Sequence, residues 1–271
     1  MKKPFISLTS DFGVQSQGVG IMEAAALEIN PDANVIHLMH GLPDFNIFYA
    51  ARTMETVNYL PIGFHVCVVD PGVGTKRKPI IIETGRGDFL IGPDNGVLLP
   101  ATRFLHGIKK AVEITNENYM RKPVSPIFHG RDIFTPAAAH LSKGIPIGKF
   151  GKKLNPKDLC KAPYEEAEAK NNVIYAKVIS INKFGSLHFN IMHAAWDTFK
   201  VKMNDKLALI FDNCKIKIPF VNTFGDVAKG NSLIIKDDYG RIEAAINMGN
   251  FSNKHKIKVG NSCIIKKSDK K

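Results

Sequence analysis

The chain has 271 residues, 44% hydrophobic and 23% charged, enough for one large domain or two medium ones with real cores. No apolar run approaches the roughly 20 residues of a membrane helix, and Met1-Lys2-Lys3 followed by Phe5-Ile6-Ser7-Leu8 resembles a signal peptide only until Asp11, so a cytoplasmic protein without membrane contact is expected. The net charge of +12 is concentrated in residues 151–271, mostly as scattered Lys without Arg clusters or interleaved aromatics, which predicts a solvated surface and no nucleic-acid partner.

Short apolar runs at Pro4–Leu8, Asn34–Met39, Phe64–Val69, Pro79–Glu83, Asp88–Ile91 and Ala111–Ile114 read as strands. Gly18–Ile29 and Asp44–Leu60 carry apolar residues at helical spacing, the second with Asp44 as N-cap, and Thr135–Lys143 reads as a further helix. Alternating strands and helices predict an α/β domain over residues 1–155, with a mainly parallel sheet covered on both faces. A polar stretch opening at Gly151 and ending near Asn172 supplies a linker, placed at 156–172. Over 173–271 the texture changes to short strands at Val173–Ile181, Leu187–Ile191, Leu207–Phe211, Lys215–Phe220, Ser232–Ile235, Ile242–Ile246 and Ser262–Ile265. Without intervening helices these imply an all-β domain, a small antiparallel barrel. Cys67, Cys160, Cys214 and Cys263 lie far apart with no C-x-x-C pair and read as free thiols.

The most informative run is Val68-Val69-Asp70-Pro71-Gly72-Val73-Gly74-Thr75-Lys76-Arg77, where an apolar strand delivers a carboxylate into a glycine-containing turn with Arg77 at its far rim. Carboxyl ends of α/β strands are where substrates bind. A second charged turn, His129-Gly130-Arg131-Asp132, could be an ion-pair corner or a catalytic element, and Asp70, Arg77 and His129 form the candidate triad. Ser10-Asp11-Phe12-Gly13 ends the first strand; it lacks the companions of the kinase magnesium motif, and Asp11 reads as a ribose-diol acceptor or as a helix N-cap. Gly92-Pro93-Asp94-Asn95-Gly96 reads as a bend. In the second domain Asn182-Lys183-Phe184-Gly185-Ser186, Tyr239-Gly240-Arg241-Ile242-Glu243 and Asn247-Met248-Gly249-Asn250 are polar turns suited to a hairpin or to adenine recognition. The histidines show no metal-ligand spacing, so no metal is expected.

In their order, these motifs resemble the S-adenosylmethionine (SAM) hydroxide adenosyltransferases, water-using relatives of the fluorinating and chlorinating SAM enzymes, over essentially the whole chain. The resemblance implies an α/β domain joined to a β-barrel, and a homotrimer with active sites between one subunit's first domain and its neighbour's second. It also implies the reaction, attack of water on the ribose C5′ of SAM to give adenosine and L-methionine, with Asp70, Arg77 and His129 catalytic. Asp11 would hold the ribose, while Phe184, Ser186, Glu243 and the backbone around Met248 would contact substrate. Asn182 stands where the halogenating relatives carry Asp against the methionine ammonium, Ser186 replaces their Asn, and Asp238-Tyr239 replaces their Ser-Arg pair. Methionine-end recognition is therefore expected to differ, with Asp238 or Glu243 supplying a carboxylate and the opposite sulfur epimer as one outcome.

The chemistry suits those residue types. A sulfonium leaves as a neutral thioether, so no cofactor is expected and the task is to align and activate one water. The competing readings are a halogenase within the same family and a SAM- or adenosine-binding sensor that does not turn over. The halogenases' extra loop in the first domain is absent from this chain.

Overall fold

The computed structural model describes residues 3–268. Contacts divide it into two compact units, one ending at Pro163 and one beginning at Tyr164.

The first unit is built on a seven-stranded sheet of β1 (Phe5–Ser10), β2 (Asn34–Met39), β3 (Phe64–Val68), β4 (Pro79–Thr84), β5 (Phe89–Pro93), β6 (Ile108–Glu113) and β7 (Lys153–Leu154), in the order β2-β1-β3-β5-β4-β6-β7. The sheet is mixed. β1 pairs in parallel with β2 and β3, and β3 with β5, whereas β4 pairs antiparallel with β5 and β6, and β6 with β7. The expected parallel character therefore holds for only half of the pairings. For β4 and β5 the reason is local: only residues 85–88 join them, too few for the crossover that a parallel pair requires.

Helix α1 (Gln17–Ile29) packs against α4 (Thr135–Ser142), and both bury small or flexible side chains (Met22, Ala26, Ala137, Ala138) with Ile6, Leu8, Val66 and Val68 of the central strands. Between them α2 (Ile47–Glu55) is capped by Asn46, whose side chain accepts from the Tyr49 amide, and α3 covers Leu99–Phe104. The helix is thus shorter than its apolar spacing suggested, and Asp44 is not its cap. From Thr56 to Tyr59 the chain tightens into a 3-10 turn.

The second unit places β8 (Ala169–Lys170), β9 (Val173–Ile181), β10 (Leu187–Met192), β11 (Lys206–Ile210), β12 (Lys215–Pro219), β13 (Ser232–Lys236), β14 (Arg241–Ile246) and β15 (Ser262–Lys267) in one antiparallel sheet, ordered β12-β11-β15-β9-β10-β14-β13 with β8 added beside β9. A bridge between Phe220 and Ile234 joins its two ends and nearly closes a barrel. Leu187, Phe189 and Ile191 alternate inward with Ile242, Ala244 and Ile246 around Trp196. Two short helices that the strand pattern did not signal, α5 (His193–Thr198) and α6 (Phe251–His255), interrupt the strand order. The segment expected as a linker is ordered at both ends: the Cys160 amide donates to Asp94, and Asn190 donates to the Glu165 carbonyl.

Candidate active site

Register alone brings the first two site elements together. Ser10, the last residue of β1, pairs with Val68, the last of β3, so Asp11 and Asp70 emerge at the carboxyl ends of adjacent parallel strands. Both line one cavity of about 240 Å³, with Phe12, Asp44, Phe45, Ile127, Phe128 and His129 among its walls.

The loop after Asp70 folds back instead of extending to a rim. The Val73 amide donates to the Asp70 carbonyl, Thr75 donates to the Gly72 carbonyl, and the Arg77 amide reaches the Thr75 hydroxyl. Gly74 has φ +74, and a Cβ there would lie 2.6 Å from the Pro126 carbonyl, so the close approach of this loop to the segment before His129 requires glycine. Arg77 is consequently almost buried, its guanidinium bonded through both Nε and Nη2 to the two oxygens of Asp70, with Nε to Oδ1 at 3.0 Å. Nη2 also lies 2.9 Å from His129 Nδ1. The Phe134 ring lies under Arg77 at 5.3 Å and meets the imidazole edge-on.

His129 is held from its C-terminal side. A π-helical turn, Gly130–Phe134, leads into α4, and within it Arg131 forms a two-pronged pair with Asp132, which also accepts the Ser125 amide at 2.8 Å. The ion-pair corner is therefore Arg131–Asp132, while His129 turns toward Arg77. Burial raises the pKa of Asp70 above 3.8 against the pull of Arg77. Burial and then the Arg77 charge lower that of His129 below 6.5. Asp11 is not a helix cap: Ser16 caps α1, and Asp11 accepts the Phe45 amide at 2.9 Å. The Gly92–Gly96 bend does more than turn, since Asn95 donates to the Val69 carbonyl and steadies the strand end that carries Asp70.

In the second unit, the Asn182–Ser186 and Asn247–Asn250 turns are neighbours. The Ser252 amide donates to the Gly185 carbonyl, and a Cβ on Gly185 (φ +81) would lie 2.1 Å from the Asn250 side chain. Phe184, Met248 and Tyr239 stand exposed, as does Asp238, whereas Ser186 and Glu243 are buried. Asn182 is engaged by its own turn: its Oδ1 accepts the Phe184 and Ser186 amides at 3.0 and 3.1 Å. Two residues that the sequence reading missed organise this region. Asp237 accepts from His188 Nδ1 at 2.9 Å and from the Tyr239 and Arg241 amides, and His188 Nε2 faces the Asn182 amide at 3.5 Å. The available signal was the polar position at 188, alternating with apolar neighbours in β10, and a second Asp at the hairpin.

A mixed α/β unit with an acid, an imidazole and a guanidinium at its strand ends, followed by an antiparallel barrel, defines a two-domain enzyme acting on a small molecule. A crystal structure of an uncharacterized conserved protein from Thermotoga maritima is similar, with TM-score 0.90 and 30% identity over 97% of this chain and 100% of that one. The chain belongs to the SAM hydroxide adenosyltransferase family, whose N-terminal domain matches residues 6–151 and whose C-terminal domain matches residues 176–264. Among its relatives, the (R)-S-adenosyl-L-methionine hydrolase of Salinispora tropica is 35% identical and that of Salinispora arenicola 34%, each over 91% of both chains.

Proposed function

We propose that the protein hydrolyses SAM, taken in the (R) form, to adenosine and L-methionine. The observation that carries this reading is the Asp70–Arg77–His129 cluster, whose Asp70 and His129 line the cavity beside Asp11. Water attacks C5′; the C5′–O bond forms as the C5′–S bond breaks, its electron pair leaves with sulfur, and one proton is released. The leaving group is a neutral thioether, so the residues need only prepare the nucleophile, and no cofactor enters.

Proton placement follows from donor chemistry. A guanidinium offers only N–H groups, so His129 Nδ1 accepts from Arg77 and the neutral imidazole carries its proton on Nε2. Asp70 is then the one group of the three that takes the proton of water, while His129 and Arg77 donate to orient the oxygen and stabilise the carboxylate. A cavity wall of Phe45, Ile127 and Phe128 favours the cancelling of hydroxide and sulfonium charge in the transition state.

Asp11 binds the ribose diol in this reading. The exposed Phe184 and Met248 turns, with Ser186, Glu243, Tyr239 and Asp238, hold the rest of the substrate, and Asp238 or Glu243 meets the methionine ammonium. Large apolar side chains left exposed on both units (Val14, Phe45 and Ile127; Phe184, Tyr239 and Met248) support a homotrimer in which neighbouring subunits complete each site. Among the described residues no helix is long and apolar enough to cross a membrane. The four free cysteines fit a cytoplasmic setting.

The test is turnover of separated sulfur epimers in oxygen-18 water. Label in the adenosine 5′-hydroxyl, with preference for the (R) epimer, is expected; methylthioadenosine as product, or no adenosine from either epimer, overturns the reading.

A further inference from the structure

A chain of hydrogen bonds outside the triad runs from the surface of the first unit to the turn that carries Asp11. Glu23 on α1 accepts from His37 Nε2 at 3.0 Å; His37 Nδ1 lies 2.9 Å from His40 Nε2; His40 Nδ1 lies 2.7 Å from Ser10 Oγ. Ser10 Oγ in turn accepts the Phe12 amide at 3.3 Å, and the His40 carbonyl accepts the Gly13 amide at 2.8 Å.

The donors order themselves without conflict. Ser10 accepts from Phe12 and donates its hydroxyl proton to His40 Nδ1, which fixes the His40 proton on Nε2. That proton goes to His37 Nδ1, and the His37 Nε2 proton goes to the Glu23 carboxylate. Both rings are neutral in this arrangement. Burial, then the neighbouring His37, pushes His40 down to about 4, which agrees with a neutral ring. Ser10 and His40 are buried, whereas His37 and Glu23 reach the surface.

Asp11 stands among three residues clamped by this chain, since Ser10 precedes it and Phe12 and Gly13 follow it. We propose that His40 is a positioning residue for the nucleoside end of the substrate, the Glu23–His37–His40–Ser10 chain holding the Asp11 turn in its binding geometry before substrate arrives. This rests on the reading of Asp11 as the ribose acceptor. Preorganisation of that kind appears in binding, because the turn's ordering no longer has to be met when substrate enters. The chain touches neither Asp70 nor Arg77 nor His129, so it leaves the chemical step alone.

The experiment compares His40→Ala, His40→Asn and His37→Ala with the wild type, using SAM as substrate and adenosine as competitive inhibitor. His40→Ala is expected to raise the KM for SAM and the inhibition constant for adenosine by about tenfold or more, the scale on which misplaced positioning groups act, with kcat changed by less than about threefold. His40→Asn, whose amide oxygen replaces Nδ1 as acceptor for Ser10, recovers most of that loss. His37→Ala, at a partly exposed position, shifts both constants the same way by a smaller factor and carries the decision if His40→Ala does not fold. Unchanged KM and adenosine inhibition in the folded variants, or a fall in kcat at constant KM, overturns the positioning role. Absence of adenosine from the wild-type reaction overturns instead the functional reading beneath it.

Discussion

Arg77 Nη2 donates to His129 Nδ1 across 2.9 Å while the same guanidinium grips both oxygens of Asp70. One side chain thereby sets the tautomer of the imidazole and the orientation of the carboxylate. Lys offers a single point of charge and cannot reproduce that fork.

Removing any member of the cluster should therefore disable the other two. Asp70→Asn, Arg77→Lys and His129→Ala are each expected to lower kcat by roughly 10²-fold or more, the usual scale for general-base groups, with little change in KM. The effects should not add, because the residues act as a unit. Initial rates of adenosine release for single and double variants decide the matter; near wild-type turnover in any single variant sinks the assignment.

The pH profile follows from the same pair. The proposed mechanism requires Asp70 ionised and His129 neutral. Burial raises Asp70 above 3.8, and burial with Arg77 lowers His129 below 6.5, so kcat should hold at neutral pH and fall on an acid limb as Asp70 takes up a proton. A rate that instead rises as pH drops through 6.5 would assign the active form to the imidazolium.

Much of this site was legible in the sequence, and the reasons are local. Asp70 follows a five-residue strand that is apolar apart from His65 and enters a Pro-Gly turn, which fixes its place at a strand end whatever the tertiary fold. Arg77 was visible as a residue but not in position, because the folding back of its loop depends on Gly74 meeting the Pro126 carbonyl, a contact between distant segments. His188 and Asp237 were missed for a related reason: alternation in β10 marks position 188 as facing away from the barrel core, but only the β13–β14 hairpin supplies its partner. The mixed sheet was hidden too, since strand-like runs carry no direction.

A second buried network invites a stability test. Ser7 on β1, His65 on β3 and Asp88 just before β5 lie wholly buried, with Ser7 Oγ 2.8 Å from His65 Nδ1, His65 Nε2 3.1 Å from Asp88, and Arg86 bonded to both Asp88 oxygens. Burial excludes a serine-nucleophile role. Asp88→Asn, which leaves Arg86 without its carboxylate, should cost about 3–5 kcal/mol, as breaking buried pairs does. Burial lowers His65 below 6.5, and bonds from Arg86 and His65 lower Asp88 below 3.8 against the cost of its burial. A lowered pKa contributes stability above the unfolded value and loses it as pH falls. Urea midpoints should therefore decline below pH 6.5 and again below 3.8, and His65→Gln should reduce the first decline, which His40 and His129 share. An unchanged first decline in that variant would place the titrating group elsewhere.

Asn182 offers the final test, because it stands where the resemblance places an Asp against the substrate ammonium while its geometry engages it in the turn. An amide oxygen has two lone pairs, and here the Phe184 and Ser186 amides take both. Asn182→Ala should therefore loosen the turn and weaken SAM and adenosine alike. Asn182→Asp keeps those two bonds and replaces the amide nitrogen that faces His188 Nε2 at 3.5 Å with a second oxygen. That oxygen would face the His188 ring, whose Nδ1 already donates to Asp237, and so would point into the turn instead of toward the substrate. The gain in SAM affinity over adenosine is then expected to stay below about tenfold, the worth of one charge-assisted bond over a neutral one. Paired binding measurements for the two ligands check this. A selective gain beyond tenfold would show that the new carboxylate reaches the ammonium directly.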